Sequence, residues 1–158
     1  MAAKPAKKLI RKKKLYLIGS LRNPEIPKIA DKIRKLGFDV FDDWFAAGPE
    51  ADDKWRDYEK ARNRNYKKAL GGLAANHVFQ FDLKHLNECD IAVLYLPAGK
   101  SGHLELGYVL GKGKRGYIIL DNPERWDVMY KFAHGVLHSF EELVEELEKV
   151  KREVKENL

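Results

Sequence analysis

The 158-residue sequence holds a single cysteine, Cys89, so an intramolecular disulfide and a cysteine-based zinc site are both excluded, and a reducing, cytoplasmic setting is the expectation. It also lacks any apolar run of the ~18 residues a membrane-spanning helix needs, and its first residues lack the apolar core of a signal peptide. Of the five histidines, His77, His85, His103, His134 and His138, only His134 and His138 stand four apart, and they flank the short strand expected near Val136 and not a helix turn, so no metal site is expected. The loop Gly19-Ser20-Leu21-Arg22 after the first apolar run lacks the Walker and dinucleotide glycine spacings, and the sequence lacks the Gly-x-Ser-x-Gly turn of a serine nucleophile, which disfavours the usual nucleotide cofactors and a Ser-His-Asp triad.

What is present is an ordinary globular composition, 44% apolar and 34% charged, at a length that one domain can use to bury a continuous core. The formal charge of +6 looks like a nucleic-acid binder's until it is located. Lys4, Lys7, Lys8, Arg11, Lys12, Lys13 and Lys14 all fall in residues 1–14, and the remainder is close to neutral. Such an arm reads as a solvated tail, with a domain over 15–158; binding of nucleic acid through it is the lesser reading.

Leu15–Ile18 reads as a buried strand ending in Gly19-Ser20, followed by Asn23-Pro24 as a helix start, Ile26, Ile29, Ile33 and Leu36 at helical spacing, and Gly37 as the stop. A second strand is expected over Phe38–Trp44 and one long charged helix over about 50–75. Ile91–Leu96 is the clearest buried strand, with a loop to Gly102, a helix over His103–Leu110, a strand over Gly116–Leu120, a short strand near Val136 and a terminal helix from Phe140. Alternation of this kind implies a doubly wound, mainly parallel sheet of about five strands flanked by helices, with ligands bound outside the carboxyl ends of the strands.

The loops at that edge carry the candidate chemistry. Glu105 is read into the first turn of a helix, where backbone amides and the dipole would keep it ionised as a nucleophile; acidic residues also favour first turns for dipole reasons alone. Asp82 reads either as an N-cap of a short helix or as a carboxyl raised by its aromatic neighbours into a proton donor. Gly19, Ser20 and Arg22 form either a small anion or sugar site or simply a loop with a surface arginine. Gly102 leaves room for a ligand or for close helix packing.

Taken in order, Leu15-Tyr16-Leu17-Ile18-Gly19-Ser20, Asp82 with Asp90 eight residues on, and Glu105-Leu106-Gly107 resemble the nucleoside 2-deoxyribosyltransferase superfamily over roughly Leu15–Phe140. Ile18-Gly19-Ser20-Leu21-Arg22-Asn23 is closest to its branch of nucleoside 5′-monophosphate N-hydrolases. The resemblance implies a Rossmann- or flavodoxin-like fold and cleavage of an N-glycosidic bond through a glycosyl-enzyme on Glu105, with Asp82 supplying the proton to the base and Tyr16 orienting the glutamate. It further implies that Asp43 and Trp44 line the base pocket, that Ser20 and Arg22 face the sugar or phosphate, and that Ser101 is nearest the place of a phosphate-gripping serine. No cofactor is implied, and a homo-oligomer is, its shared sites completed by the segment Trp126–Tyr130 with Met129; plain core packing is the alternative for that segment. A nucleotide-binding module of the same fold without turnover is the alternative function.

Overall fold

The computed structural model describes residues 11–123 and 125–156; most of the basic arm, residues 1–10, lies outside them. Five strands form one all-parallel sheet in the order β2-β1-β3-β4-β5, from β1 (Lys14–Ile18), β2 (Asp39–Phe41), β3 (Ile91–Tyr95), β4 (Arg115–Ile119) and β5 (Gly135–Leu137). Six α-helices flank it: α1 (Ile26–Lys35), α2 (Ala51–Ala61), α3 (Tyr66–Leu70), α4 (Leu73–Glu88), α5 (Lys100–Gly111) and α6 (Phe140–Glu156). No helix among the described residues is long and apolar enough to cross a membrane.

Central strands of a parallel sheet are covered on both faces, which is why β1 and β3 are unbroken apolar runs. Successive side chains of β1 point to opposite sides. Leu15 and Leu17 enter a core with Ile26, Ile29 and Ile33 of α1 and Leu143, Leu147 and Val150 of α6. Tyr16 and Ile18 enter the other, with Leu86 of α4 and Leu106 and Val109 of α5. Burying each such aliphatic side chain is worth roughly 1.5–3 kcal/mol, so these two layers carry the fold.

Several boundaries differ from the sequence reading. Asn23 does not cap α1: its Oδ1 accepts the Glu25 N–H at 3.0 Å in a turn, and helical bonding begins at Glu25. The second strand stops at Phe41, and Asp43–Ala47 turns into a 3₁₀ helix. The long charged helix is three helices. Asn63 at φ +54°, a conformation asparagine tolerates, ends α2, and Asn65 caps α3 by accepting the Lys68 N–H at 3.0 Å. Helix α4 then runs on to Glu88, which places Asp82 in a helix interior and rules out its N-cap reading. Gly37, at φ +100°, ends α1 as expected.

Helix α5 starts three residues before the expected His103 because Gly102 lets it sit directly on the sheet. A Cβ there would stand 3.0 Å from Ile18 Cγ2 and 3.1 Å from Leu94 Cδ1. Ile18 Cγ2 belongs to a stiff branched side chain, so the helix must move instead. Gly102→Ala is therefore expected to be destabilising by about 1 kcal/mol in denaturant unfolding, overpacking outweighing the gain in helix propensity.

Candidate active site

The chain leaves β1 toward α1 on one face of the sheet and leaves β3 toward α5 on the other. These neighbouring strands therefore open a crevice at their carboxyl ends, the topological switch point where such sheets bind ligands. Gly19 begins its floor, where a Cβ would lie 2.3 Å from Ile26 Cδ1. The next turn is tied by Ser20, whose Oγ accepts the Arg22 N–H at 3.1 Å, and it leaves the Arg22 guanidinium 74% exposed and 3.7 Å from Asp53.

Trp44 stands across the end of β1, donating from Nε1 to the Leu17 carbonyl at 2.8 Å and packing against both cores. Asp43 beside it is exposed, whereas Asp42 is buried and bonded to Arg34 at 2.5 Å, so the two adjacent aspartates differ in kind. Asp42 joins β2 to α1; Asp43 remains open to solvent.

Three elements bring the reactive groups together. Tyr16 of β1, 1% exposed, and Glu105 of α5 lie close enough to influence each other's ionisation, and the charge of Asp82 of α4 acts on both. Burial pushes the Glu105 carboxyl up to about 7; the Tyr16 hydroxyl opposes this, and the Asp82 charge adds to it. Burial and the two carboxylates push Tyr16 far upward, so it stays a hydrogen-bond donor. Asp82 is raised chiefly by burial, with His85 opposing, and its Oδ1 is buried without a partner.

The expectation that Glu105 lies in the first turn of a helix is corrected. With α5 beginning at Lys100, Glu105 lies in the second turn, past the free amides of the first, and burial is the dominant influence on it. Two partly buried carboxyls, both raised by desolvation, make an arrangement suited to pairing a carboxylate nucleophile with an acid.

The remaining expected residues fall around this centre. Ser101 is exposed in the first turn of α5, and Gly102 is buried against Ile18 and Leu94, which serves close packing. Met129 is 58% exposed in the 3₁₀ segment Val128–Phe132, and Trp126 is 93% exposed, so core packing of that segment is excluded for both. Asp90, part of the sequence pattern, lies at the opposite end of β3, where it accepts the Lys14 backbone N–H at 2.9 Å and pairs with Arg11.

Sequence reasoning missed two supports. The His103 ring bridges Gly99 O at 2.9 Å and the Tyr130 hydroxyl at 2.8 Å, fastening the 3₁₀ segment to the start of α5. Phe41 stacks on His85 with centroids 3.8 Å apart and packs on Tyr16 at 4.9 Å, walling the side of the site. Both pairs span tens of residues, and nothing local in the sequence marks them. A cavity of about 400 Å³ lined by Arg11, Lys12, Lys14 and Arg34 lies at the other end of β1 and includes none of the three reactive residues. Among the described residues no group of three or more His, Cys, Asp or Glu could hold a metal ion.

No protein-family model matches the chain, and no curated protein does. Solved structures do. A conserved protein from Enterococcus faecalis V583 is 14% identical, with a TM-score of 0.59 over 88% of this chain and 99% of that one. A 2-deoxyribosyltransferase from the psychrotolerant bacterium Bacillus psychrosaccharolyticus is 21% identical, with a TM-score of 0.55 over 83% and 90%. A CMP N-glycosidase of Clostridium botulinum is 13% identical, with a TM-score of 0.50 over 86% and 99%. At these identities the likeness is one of fold, and the resemblance read from the sequence holds at that level.

The Glu105 environment makes a stability prediction with a definite sign. A carboxyl raised from 4.5 to about 7 in the folded state stabilises the protein while protonated, and that contribution is lost as pH rises through about 7. Glu105→Gln cannot ionise and is expected to exceed the wild type in stability at pH 8 by on the order of 2–3 kcal/mol, the advantage shrinking toward pH 5. Tyr16→Phe removes the opposing hydroxyl and should move the Glu105 titration, followed by carbon NMR of its carboxyl, to higher pH.

Proposed function

We propose that this chain cleaves the N-glycosidic bond of a nucleoside or its 5′-monophosphate through a covalent glycosyl-enzyme on Glu105. What supports the reading is that Tyr16 of β1 feels the charges of both Glu105 of α5 and Asp82 of α4, and that burial raises both carboxyls. The printed activities of two fold neighbours, a deoxyribosyltransferase and a CMP N-glycosidase, support the same class of chemistry.

In the first step the Glu105 carboxylate attacks the anomeric carbon as the carbon–nitrogen bond breaks, and the electron pair departs with the base, which takes a proton from Asp82. In the second, water or a second base attacks the same carbon from the vacated face, gives its proton to Asp82 and releases the glutamate. Two inversions retain configuration, as in two-carboxylate glycosidases. Tyr16 holds the glutamate for attack. Trp44 and Asp43 border the base, Ser20 and Arg22 the sugar or its phosphate, and Ser101 and Gly102 the near wall.

The exposed apolar side chains of Trp126, Val128, Met129 and Phe132 are fastened through Tyr130 to the helix that carries Glu105. We infer that a second copy of the chain covers them and completes the crevice, since solvent-facing apolar clusters of this kind mark interfaces. The buried thiol of Cys89, pushed up to about 11 by burial, is inert and compatible with a cytoplasmic setting.

The test is chromatographic detection of free base from a panel of nucleosides and 5′-monophosphates, with and without an acceptor base. Release without acceptor identifies a hydrolase, and release only with acceptor a transferase. Glu105→Ala should lower the rate on the order of 10³-fold or more while circular dichroism stays unchanged. Nucleotide binding with no base released from any member would replace this reading with a binding module of the same fold. Val128→Asp is expected to shift sedimentation toward the monomer.

A further inference from the structure

Helix α2 is the part of the chain that the reaction above leaves without a role, yet it touches the proposed anion site. Asp53, in its first turn, places Oδ2 3.7 Å from Arg22 Nη2 and Oδ1 3.1 Å from Arg56 Nη1, while Arg56 Nε also bonds Asp57 at 3.1 Å. The Arg22 guanidinium is the cation that the β1 loop offers to a ligand, and in the free protein the Asp53 carboxylate of the same chain faces it at 3.7 Å as an ion-pair partner.

We propose that Asp53 is a specificity-determining residue, a built-in competitor that an anionic group on the sugar must displace from Arg22 before it can bind there. This rests on the reading of the site as a nucleoside or nucleotide crevice. The exchange is physically easy. Arg22 and Asp53 are 74% and 48% exposed, and a solvent-exposed pair of this kind is worth little, whereas a phosphate meets a guanidinium with two parallel hydrogen bonds and more charge. Once displaced, Asp53 keeps Arg56 as a partner, so no carboxylate is stranded. An uncharged 5′-hydroxyl cannot perform the exchange, and a nucleoside binds with the Arg22–Asp53 pair intact. Asp53 therefore lowers affinity for phosphorylated ligands selectively and narrows the preference between a monophosphate and its nucleoside.

The test is calorimetric binding of inorganic phosphate, a nucleoside and its 5′-monophosphate to the full chain, which needs no turnover. Asp53→Asn is expected to tighten phosphate and monophosphate binding about two- to fivefold and leave the nucleoside unchanged, matching the small free energy of an exposed pair. Asp52→Asn makes the same change in net charge on the same helix at an exposed carboxylate that pairs with neither Arg22 nor Arg56, and should alter none of the three. Arg22→Ala should weaken monophosphate binding and abolish the effect of Asp53→Asn in the double variant. Equal effects of Asp53→Asn and Asp52→Asn, or an equal change for nucleoside and monophosphate, would overturn the competitor role. If Arg22→Ala loses phosphate while Asp53→Asn behaves as wild type, the competitor falls and the anion site stands. Phosphate binding indifferent to Arg22 overturns both. The binding pattern without any base release would leave Asp53 its role and remove the proposed activity.

Discussion

Glu105 is held in a place where its charge is poorly solvated, and much of the architecture around it maintains that condition. Tyr16 beside it sits on a strand with neighbours on both sides, so its backbone is fixed by two ladders and its ring packs at a tilt against Phe41. The carboxyl is raised because α4, α5 and β1 exclude water from it together. A group kept in that state costs stability whenever it ionises. Natural chains accept such a cost at sites that use the strained state.

Close approach of backbone to side chain sets the geometry. Gly19 lets Ile26 of α1 press onto the end of β1, and Gly102 lets α5 lie on Ile18 and Leu94. These two contacts, on opposite faces of neighbouring strands, determine how far apart the walls of the crevice stand. A methyl group at either would be felt as a displacement of a wall, because packed interiors have no slack to absorb it.

The two ends of the sheet are built differently. At the carboxyl end the polar groups Asp82 and Glu105 are desolvated, with little to compensate them. At the amino end Asp90 and Glu88 are paired with Arg11 and Lys14 in exposed ion pairs that solvent screens. The Asp90 of the sequence pattern belongs to that second class: it fastens the start of β1 to the start of β3. Residues that share a pattern in the sequence thus serve opposite ends of one sheet.

The sequence by itself determined the alternation of strands and helices, the parallel sheet, and the edge at which the chain leaves its central strands, because two-sided burial of Leu15–Ile18 and Ile91–Tyr95 leaves little other choice. Helix α4 was not legible: Val78, Phe79 and Phe81 are exposed apolar residues that blur its periodicity, so Asp82 read as a cap and not as an interior position. The start of α5 was hidden because Lys100-Ser101-Gly102 has the composition of a loop, and only contact with Ile18 and Leu94 explains the glycine. The upward pull on the Glu105 carboxyl comes from tertiary structure. A local dipole can be read from position in a helix, but desolvation depends on which distant segments close over the group, and Tyr16, Asp82 and Glu105 are brought together only when the sheet and both helices have formed.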